Sequence, residues 1–186
     1  MKYRIKKILL PIACGIILFP NSSYAVDVPI KIHGAIRIPP CKINNDADFN
    51  VSFGKISLQS VDGDTYTKSV SINVTCENFQ GKPYIYLSGG TGQLPGAPDN
   101  VLNTNGVNKS ALGIALYQGG GGDKSTPLRI GSGDKGKYGY EITKGMSNKN
   151  VQVSTFTFSA VPYKQGGGSL RAGTFSASVT MNINYL

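Results

Sequence analysis

Apolar and polar residues alternate with a period of two along most of this chain. Val28, Ile30, Ile32, Ile36 and Ile38, with Gly34 in the same row, alternate with Pro29, Lys31, His33, Ala35 and Arg37. Successive side chains on a strand point to opposite faces, so residues 28–38 predict a strand with one apolar and one mostly polar face. Phe49, Val51 and Phe53 alternate before Gly54, and Val70, Ile72, Val74 and Cys76 alternate with Ser69, Ser71, Asn73 and Thr75. Residues 84–87 and 112–117 are short β-like runs, and residues 127–130 predict a short edge strand. Phe156, Phe158 and Ala160 alternate with threonine and serine before Pro162. Phe175, Ala177, Val179, Met181, Ile183 and Tyr185 form one unbroken apolar row to the end. No stretch repeats at the spacing of an amphipathic helix. Turn-rich segments at 88–108, 119–125, 131–140 and 165–169 separate the strands. Short strands joined by glycine-rich connections predict an all-β antiparallel sandwich, and no repeat or linker divides it.

The front of the chain follows another pattern. Lys2, Arg4, Lys6 and Lys7 precede an apolar stretch over residues 8–19, and Ser23-Tyr24-Ala25 places small residues on either side of Tyr24. This is the pattern of an export signal cleaved after Ala25, so residues 1–25 are expected to be removed. The apolar stretch is shorter than the roughly 20 residues a spanning helix needs. A lipoprotein site at Cys14 is disfavoured by Pro11 and Ile12 before it. Removing 25 of 186 residues leaves 161, enough for one domain with a real core.

Composition then changes the picture in two ways. The signal carries four positive charges and no negative ones, so the formal charge of +9 falls to +5 in the mature chain. The remaining Lys and Arg are scattered singly, which excludes a nucleic-acid-binding stripe. Two of the three cysteines, Cys41 and Cys76, stay in the mature chain. In an oxidising compartment such a pair most simply forms one disulfide. The alternative is metal binding, but two cysteines and one histidine at unrelated spacings do not make a zinc site.

Several apparent motifs reduce to turns. Residues 131–136 fit the dinucleotide glycine pattern and nearly fit a phosphate loop, but no helical pattern follows them. Asp62-Gly63-Asp64 lacks the further ligands and closing glutamate of a calcium loop. Asn73-Val74-Thr75 matches a glycosylation sequon inside a strand pattern. His33, the one histidine, reads as a solvated strand residue, with no nucleophile arranged around it. The carboxylates Asp62, Asp64, Asp99, Asp123 and Asp134 lie in turns, and no spacing marks a catalytic pair. The chain reads as a non-enzyme without a cofactor.

The two termini together carry a resemblance. Gly173 stands fourteen places from the end and Tyr185 is penultimate, with alternating apolar residues between them. Gly34 stands mid-row in the first strand, just before Pro39-Pro40-Cys41. This combination resembles subunits of chaperone–usher pili over the whole mature chain, including a first cysteine after an N-terminal extension and a second closing the next long strand. Ile36-Arg37-Ile38-Pro39-Pro40-Cys41-Lys42-Ile43-Asn44-Asn45 is similar to the minor tip-adaptor pilins of P pili. So are Gly113-Ile114-Ala115-Leu116-Tyr117-Gln118-Gly119, Ser125-Thr126-Pro127-Leu128 and Ser154-Thr155-Phe156-Thr157-Phe158.

The resemblance implies an incomplete immunoglobulin-like sandwich that lacks its last strand and is completed by a donor strand in trans. It implies a cleaved signal at 1–25, a donor-strand extension at 26–40 and a pilin domain at 41–186. Val28, Ile30, Ile32, Gly34, Ile36 and Ile38 become the donated row. Gly173, Phe175, Ala177, Val179, Met181, Ile183 and Tyr185 become the groove that a periplasmic chaperone and then a neighbouring subunit fill. The implied partners are that chaperone, an outer-membrane usher, an adhesin on one side and a fibre subunit on the other. The implied destination is a cell-surface fimbrium, reached through the periplasm.

The favoured role is a minor adaptor that links the adhesin to the fibre and helps initiate assembly for cell adhesion. A tip subunit that binds a host glycan and a major rod pilin are the alternatives, with an unrecognised periplasmic enzyme behind them. Family adhesins usually carry an extra receptor-binding domain and lack a donor extension, whereas this chain has one domain, has the extension, and contains no tryptophan. N-terminal sequencing of the exported protein should begin at Val26; a mature chain that still begins at Met1 would reject the cleavage site.

Overall fold

The computed structural model describes residues 28–186, so the expected export signal lies outside the described residues. The chain divides into two units, Met1–Ala35 and Ile36–Leu186. In the first, residues 28–35 carry no strand and are exposed throughout.

The second unit contains ten strands: β1 (Lys42–Ile43), β2 (Lys68–Thr75), β3 (Pro83–Ser88), β4 (Val101–Asn103), β5 (Asn105–Gly106), β6 (Leu112–Gln118), β7 (Tyr140–Glu141), β8 (Val153–Lys164), β9 (Phe175–Ser176) and β10 (Thr180–Tyr185). They form a five-stranded sheet in the order β1-β2-β8-β6-β4, a three-stranded sheet β10-β3-β7, and the pair β5-β9. Every strand pairing is antiparallel. Helical turns among the described residues are limited to two three-residue 3-10 segments.

Alternation decides which faces meet. Ile72 and Val74 of β2, Ile114 and Leu116 of β6, and Phe156 and Phe158 of β8 point inward from the larger sheet. They pack with Ile85 and Leu87 of β3 and with Ile183 and Tyr185 of β10 in one apolar core. The register Ile72↔Phe156 and Leu116↔Ala160 keeps these rows on one face; a slip of one residue would turn them to solvent. β6 is buried on both faces, because Ala115 packs beneath Leu94 and Val101 in a smaller outer cluster. Pro162 lies in β8 beyond the end of β2, where only β6 flanks it, a position that tolerates the missing N–H.

The cystine joins Cys41, just before β1, to Cys76, just after β2. β1 then stops after two residues. Asn44, Asn45 and Asp46 take φ values of 50°, 54° and 61°, and a left-handed backbone cannot continue a ladder. Asparagine and aspartate tolerate that region best, and here the Asn44 side-chain amide donates to the Ala47 carbonyl at 2.9 Å. The turn sends the chain from one sheet to the other: Phe49 packs edge-on to Phe158 at 6.0 Å, and Phe53 reaches Phe175 at 6.2 Å.

Five expectations are corrected. Residues 28–38 form no strand, because no partner strand supplies a ladder for them. Residues 49–53 keep their inward alternation, yet they too are unpaired. The edge strand at 127–130 reduces to one bridge between Tyr117 and Pro127. Two turn-rich stretches hide strands: β4 and β5 lie within 88–108, and β7 begins at Tyr140. The C-terminal row is not one strand but β9 and β10, separated at residues 177–179.

The disulfide closes a loop with a sequence separation of 35. The double variant C41S/C76S should lose about 2–4 kcal/mol of unfolding free energy in urea titrations; an unchanged midpoint and slope would reject this role.

Candidate functional site

The last strand is hydrogen-bonded on one side along its length and open along most of the other. On the inner side, β10 pairs with β3 from Thr180↔Ser88 to Tyr185↔Pro83. The Leu186 amide donates to the Lys82 carbonyl at 3.0 Å, and the Lys82 amide donates back at 2.9 Å. Further upstream the Thr91 amide donates to the Ser178 carbonyl at 3.0 Å. Gly90 makes that approach possible, since a Cβ there would stand 1.9 Å from the Ser178 oxygen. The outer side has one backbone bond among the described residues, from the Cys41 amide to the Ile183 carbonyl at 2.8 Å. Backbone groups alternate sides along a strand, so the N–H and C=O of Val179 and Met181 face the same way as those of Ile183. They have no backbone partner among the described residues. Such an edge is a template for another strand.

Burial along this strand is graded. Ile183 and Tyr185 are fully buried, while Phe175, Ala177, Val179 and Met181 are half-buried against the core. Across from them Phe49, Val51 and Phe53 are half-buried in the same way, on a segment with no strand pairing. Two apolar rows therefore flank an opening whose bottom is the core. A depression of about 250 Å³ lined by Asn105, Gly106, Thr174, Phe175 and Ser176 lies at the β5–β9 pair. Gly173 lies exposed just before this wall, and a Cβ there would stand 2.7 Å from a Val107 methyl. The Tyr185 hydroxyl is buried and makes no hydrogen bond among the described residues.

The predicted donor row is exposed. Ile32 and Ile36 are 90% and 104% accessible, and Val28 and Ile30 are nearly as open. Exposing four large aliphatic side chains in sequence is costly in water, each forgoing about 1.5–3 kcal/mol available on burial. Gly34 has nothing within 4 Å of a would-be Cβ. Packing among the described residues therefore gives no reason for a glycine there.

The set-aside motifs have ordinary structural roles. Asp62 caps its own turn: its carboxylate accepts from the Asp64 amide at 2.9 Å, the Thr65 amide at 2.8 Å and the Thr65 hydroxyl. The Thr65 hydroxyl and these amides hold its pKa down at about 2. Residues 131–136 form a tight turn closed by the Gly136 amide on the Gly133 carbonyl at 2.9 Å, leading into β7 rather than a helix. Asn73 is exposed in β2 opposite Thr155. A second depression, of about 220 Å³, lies beside Thr126, Arg129 and Tyr140. There the Arg129 guanidinium stacks over the Tyr140 ring, 5.5 Å from its centre.

The sequence pointed to one wall, 173–185, and to the extension. It did not identify 49–53 as the second wall, nor the Cys41 amide as the stop on the open edge. The alternation of Phe49, Val51 and Phe53 soon after a half-cystine was the available signal.

Comparison with known proteins identifies the family. The family model described as fimbrial protein matches residues 30–186. The chain is 37% identical over 169 residues to the fimbrial adapter PapF of Escherichia coli, covering 91% of this chain and 94% of that protein. It is also 37% identical over 169 residues to the minor fimbrial protein PrsF of Escherichia coli, with the same coverage of 91% and 94%. Among solved structures, the P pilus adaptor subunit PapF, described for the determinants of its polymerization reactivity, is similar at 32% identity and a TM-score of 0.52. That match covers 81% of this chain and 98% of the PapF chain.

Hydrogen exchange reads the open edge directly. The amides of Val179 and Met181 should exchange about tenfold or more faster than those of Asn182 and Asn184, which face β3. Equal protection of the four would mean that the outer edge is closed.

Proposed function

This chain belongs to the fimbrial protein family, as a subunit of chaperone–usher pili without enzymatic activity, and we propose that within the pilus it is a minor tip adaptor joined to its neighbours by strand exchange. In this reading the domain is an immunoglobulin-like sandwich without its final strand. A strand from outside enters between the wall 49–53 and the wall Gly173, Phe175, Ala177, Val179, Met181, Ile183 and Tyr185. A periplasmic chaperone supplies that strand first. A neighbouring subunit's extension replaces it during assembly at an outer-membrane usher, on the way to the cell surface.

The chain in turn lends Val28, Ile30, Ile32, Gly34, Ile36 and Ile38 to the groove of the next subunit. The observation that carries the reading is the pairing of opposites within one sequence. The outer edge of β10 lacks a strand among the described residues beyond Cys41, and its half-buried row lacks cover. Residues 28–38 have an apolar row and no ladder. Each supplies what the other lacks, yet exchange in trans is what lets such units form a chain. The adaptor role rests on the likeness to PapF and PrsF, whose printed names are adapter and minor fimbrial protein.

Gly34 fits the same reading, because a glycine in a donated row suits a place where the receiving groove is too shallow for a side chain. Backbone ladder bonds along the seated strand would contribute about 0.5–1.5 kcal/mol each, so fit along the whole strand sets the margin.

Periplasmic co-purification of the tagged chain tests the reading, by identifying what fills the groove and whose groove holds residues 26–38. Ile32→Asp or Ile36→Asp should abolish linkage to the subunit that receives the extension while leaving chaperone binding intact. Normal linkage by either variant would defeat the donor assignment, and loss of chaperone binding would place those residues elsewhere.

A further inference from the structure

An open edge and an unpaired apolar row stand on one chain, and the question is what keeps them from completing each other. A tethered segment that can reach its site acts at an effective concentration of about a millimolar. A chain's own extension would therefore fill the opening ahead of any other subunit's, unless its path forbids it.

That path is set by where the chain enters the domain. Cys41 donates to Ile183 at one end of the opening, and Phe53 meets Phe175 at the other. Residues 41–53 thus run opposite to residues 175–183, and the chain enters at the end that the Cys41 amide closes. Residues 36–40, just before that point, are exposed and lie in no ladder among the described residues. To lay the row from Val28 to Ile38 between the walls, the chain would have to reverse between Ile38 and Cys41.

The residues there are Pro39 and Pro40. A tight reversal needs a helical backbone at its first central residue or a positive φ at one of the two. Proline fixes φ near about −65° and keeps the residue before it extended. Ile38 and Pro39 each precede a proline, so neither opens a turn, and Cys41 is already held by Ile183 and by the cystine. No peptide bond among the described residues is cis, which removes the remaining proline turn. Turning farther upstream shortens the returning row. From Gly34, where any φ is accepted, Cys41 lies seven residues or about 23 Å onward, but Val28 only six residues or about 20 Å back. Val28 would then stop short of the opening.

Resting on the strand-exchange reading above, we propose that Pro39-Pro40 is a rigid outlet that bars the extension from this chain's own opening. The device keeps the opening free for a strand supplied by another molecule, and keeps residues 28–38 free for another molecule's opening.

The test uses the full-length chain in its host, with the other pilus subunits deleted and the chaperone retained. P39N/P40G places at the reversal the residue pair best suited to a two-residue hairpin. Wild type should be recovered bound to chaperone, with trypsin cutting readily after Lys31 and Arg37. P39N/P40G should yield a chaperone-free monomer on gel filtration, with those two cuts slowed about tenfold or more. Adding I32D to it should restore both cutting and chaperone binding. A P39N/P40G chain that stays chaperone-bound and as readily cut as wild type would overturn the proposal. So would a chaperone-free wild-type monomer protected at Lys31 and Arg37, a result that needs no variant to fold. Restoring the other subunits separates the two readings. If wild type joins a neighbour while P39N/P40G stays open, the outlet falls and strand exchange stands; if wild type joins none, strand exchange itself falls.

Discussion

Between Met181 and Ile183 the outer edge of β10 changes from open to bonded, and the Cys41 amide is the reason. Cys41 donates to the Ile183 carbonyl, its sulfur is tied to Cys76 at the end of β2, and Lys42 beside it pairs with Thr75. One residue therefore fastens the three-stranded sheet to the five-stranded one at one end of the sandwich. There Ile183 and Tyr185 are fully covered. Beyond that point no strand among the described residues holds the two walls together, and the same apolar row is only half-covered from Phe175 to Met181. Backbone hydrogen-bonding groups and apolar side chains are left unsatisfied along one line, and a strand is the element that satisfies both at once.

The left-handed turn at 44–46 makes this opening. Had β1 continued along β2, residues 49–53 would have stayed with the larger sheet, and the last strand would have faced solvent alone. Three consecutive residues with positive φ stop the ladder and send Phe53 across to Phe175. The opening thus has two walls, one from each end of the domain's sequence. In the proposed exchange a single incoming strand would close a gap between segments more than a hundred residues apart, which the Cys41 amide and the Phe53–Phe175 contact already join.

The extension poses the converse problem. Its isoleucines cannot form a strand alone, because a strand's hydrogen bonds lie between chains or segments and never within it. Its other face carries the exposed Lys31, His33 and Arg37. A sequence that displays both an unfilled edge and an exposed β-forming segment risks indiscriminate association, which is the hazard that a chaperone in the proposed pathway would contain.

Sequence alone determined the period: which residues of β2, β8 and β10 face the core, that Cys41 and Cys76 form a cysteine pair, and that residues 28–38 carry opposed apolar and polar rows. These follow from side-chain direction and composition, which are local. What only the tertiary structure decided was pairing. Residues 49–53 and 28–38 have the alternation of strands yet no ladder, while β4 and β7 form within turn-rich stretches because neighbours reach them. The C-terminal row, unbroken in sequence, divides where Ser178 bonds to Thr91 and the chain passes from β5 to β3. Hydrogen bonds between distant segments depend on where the rest of the chain lies, and alternation carries no record of that.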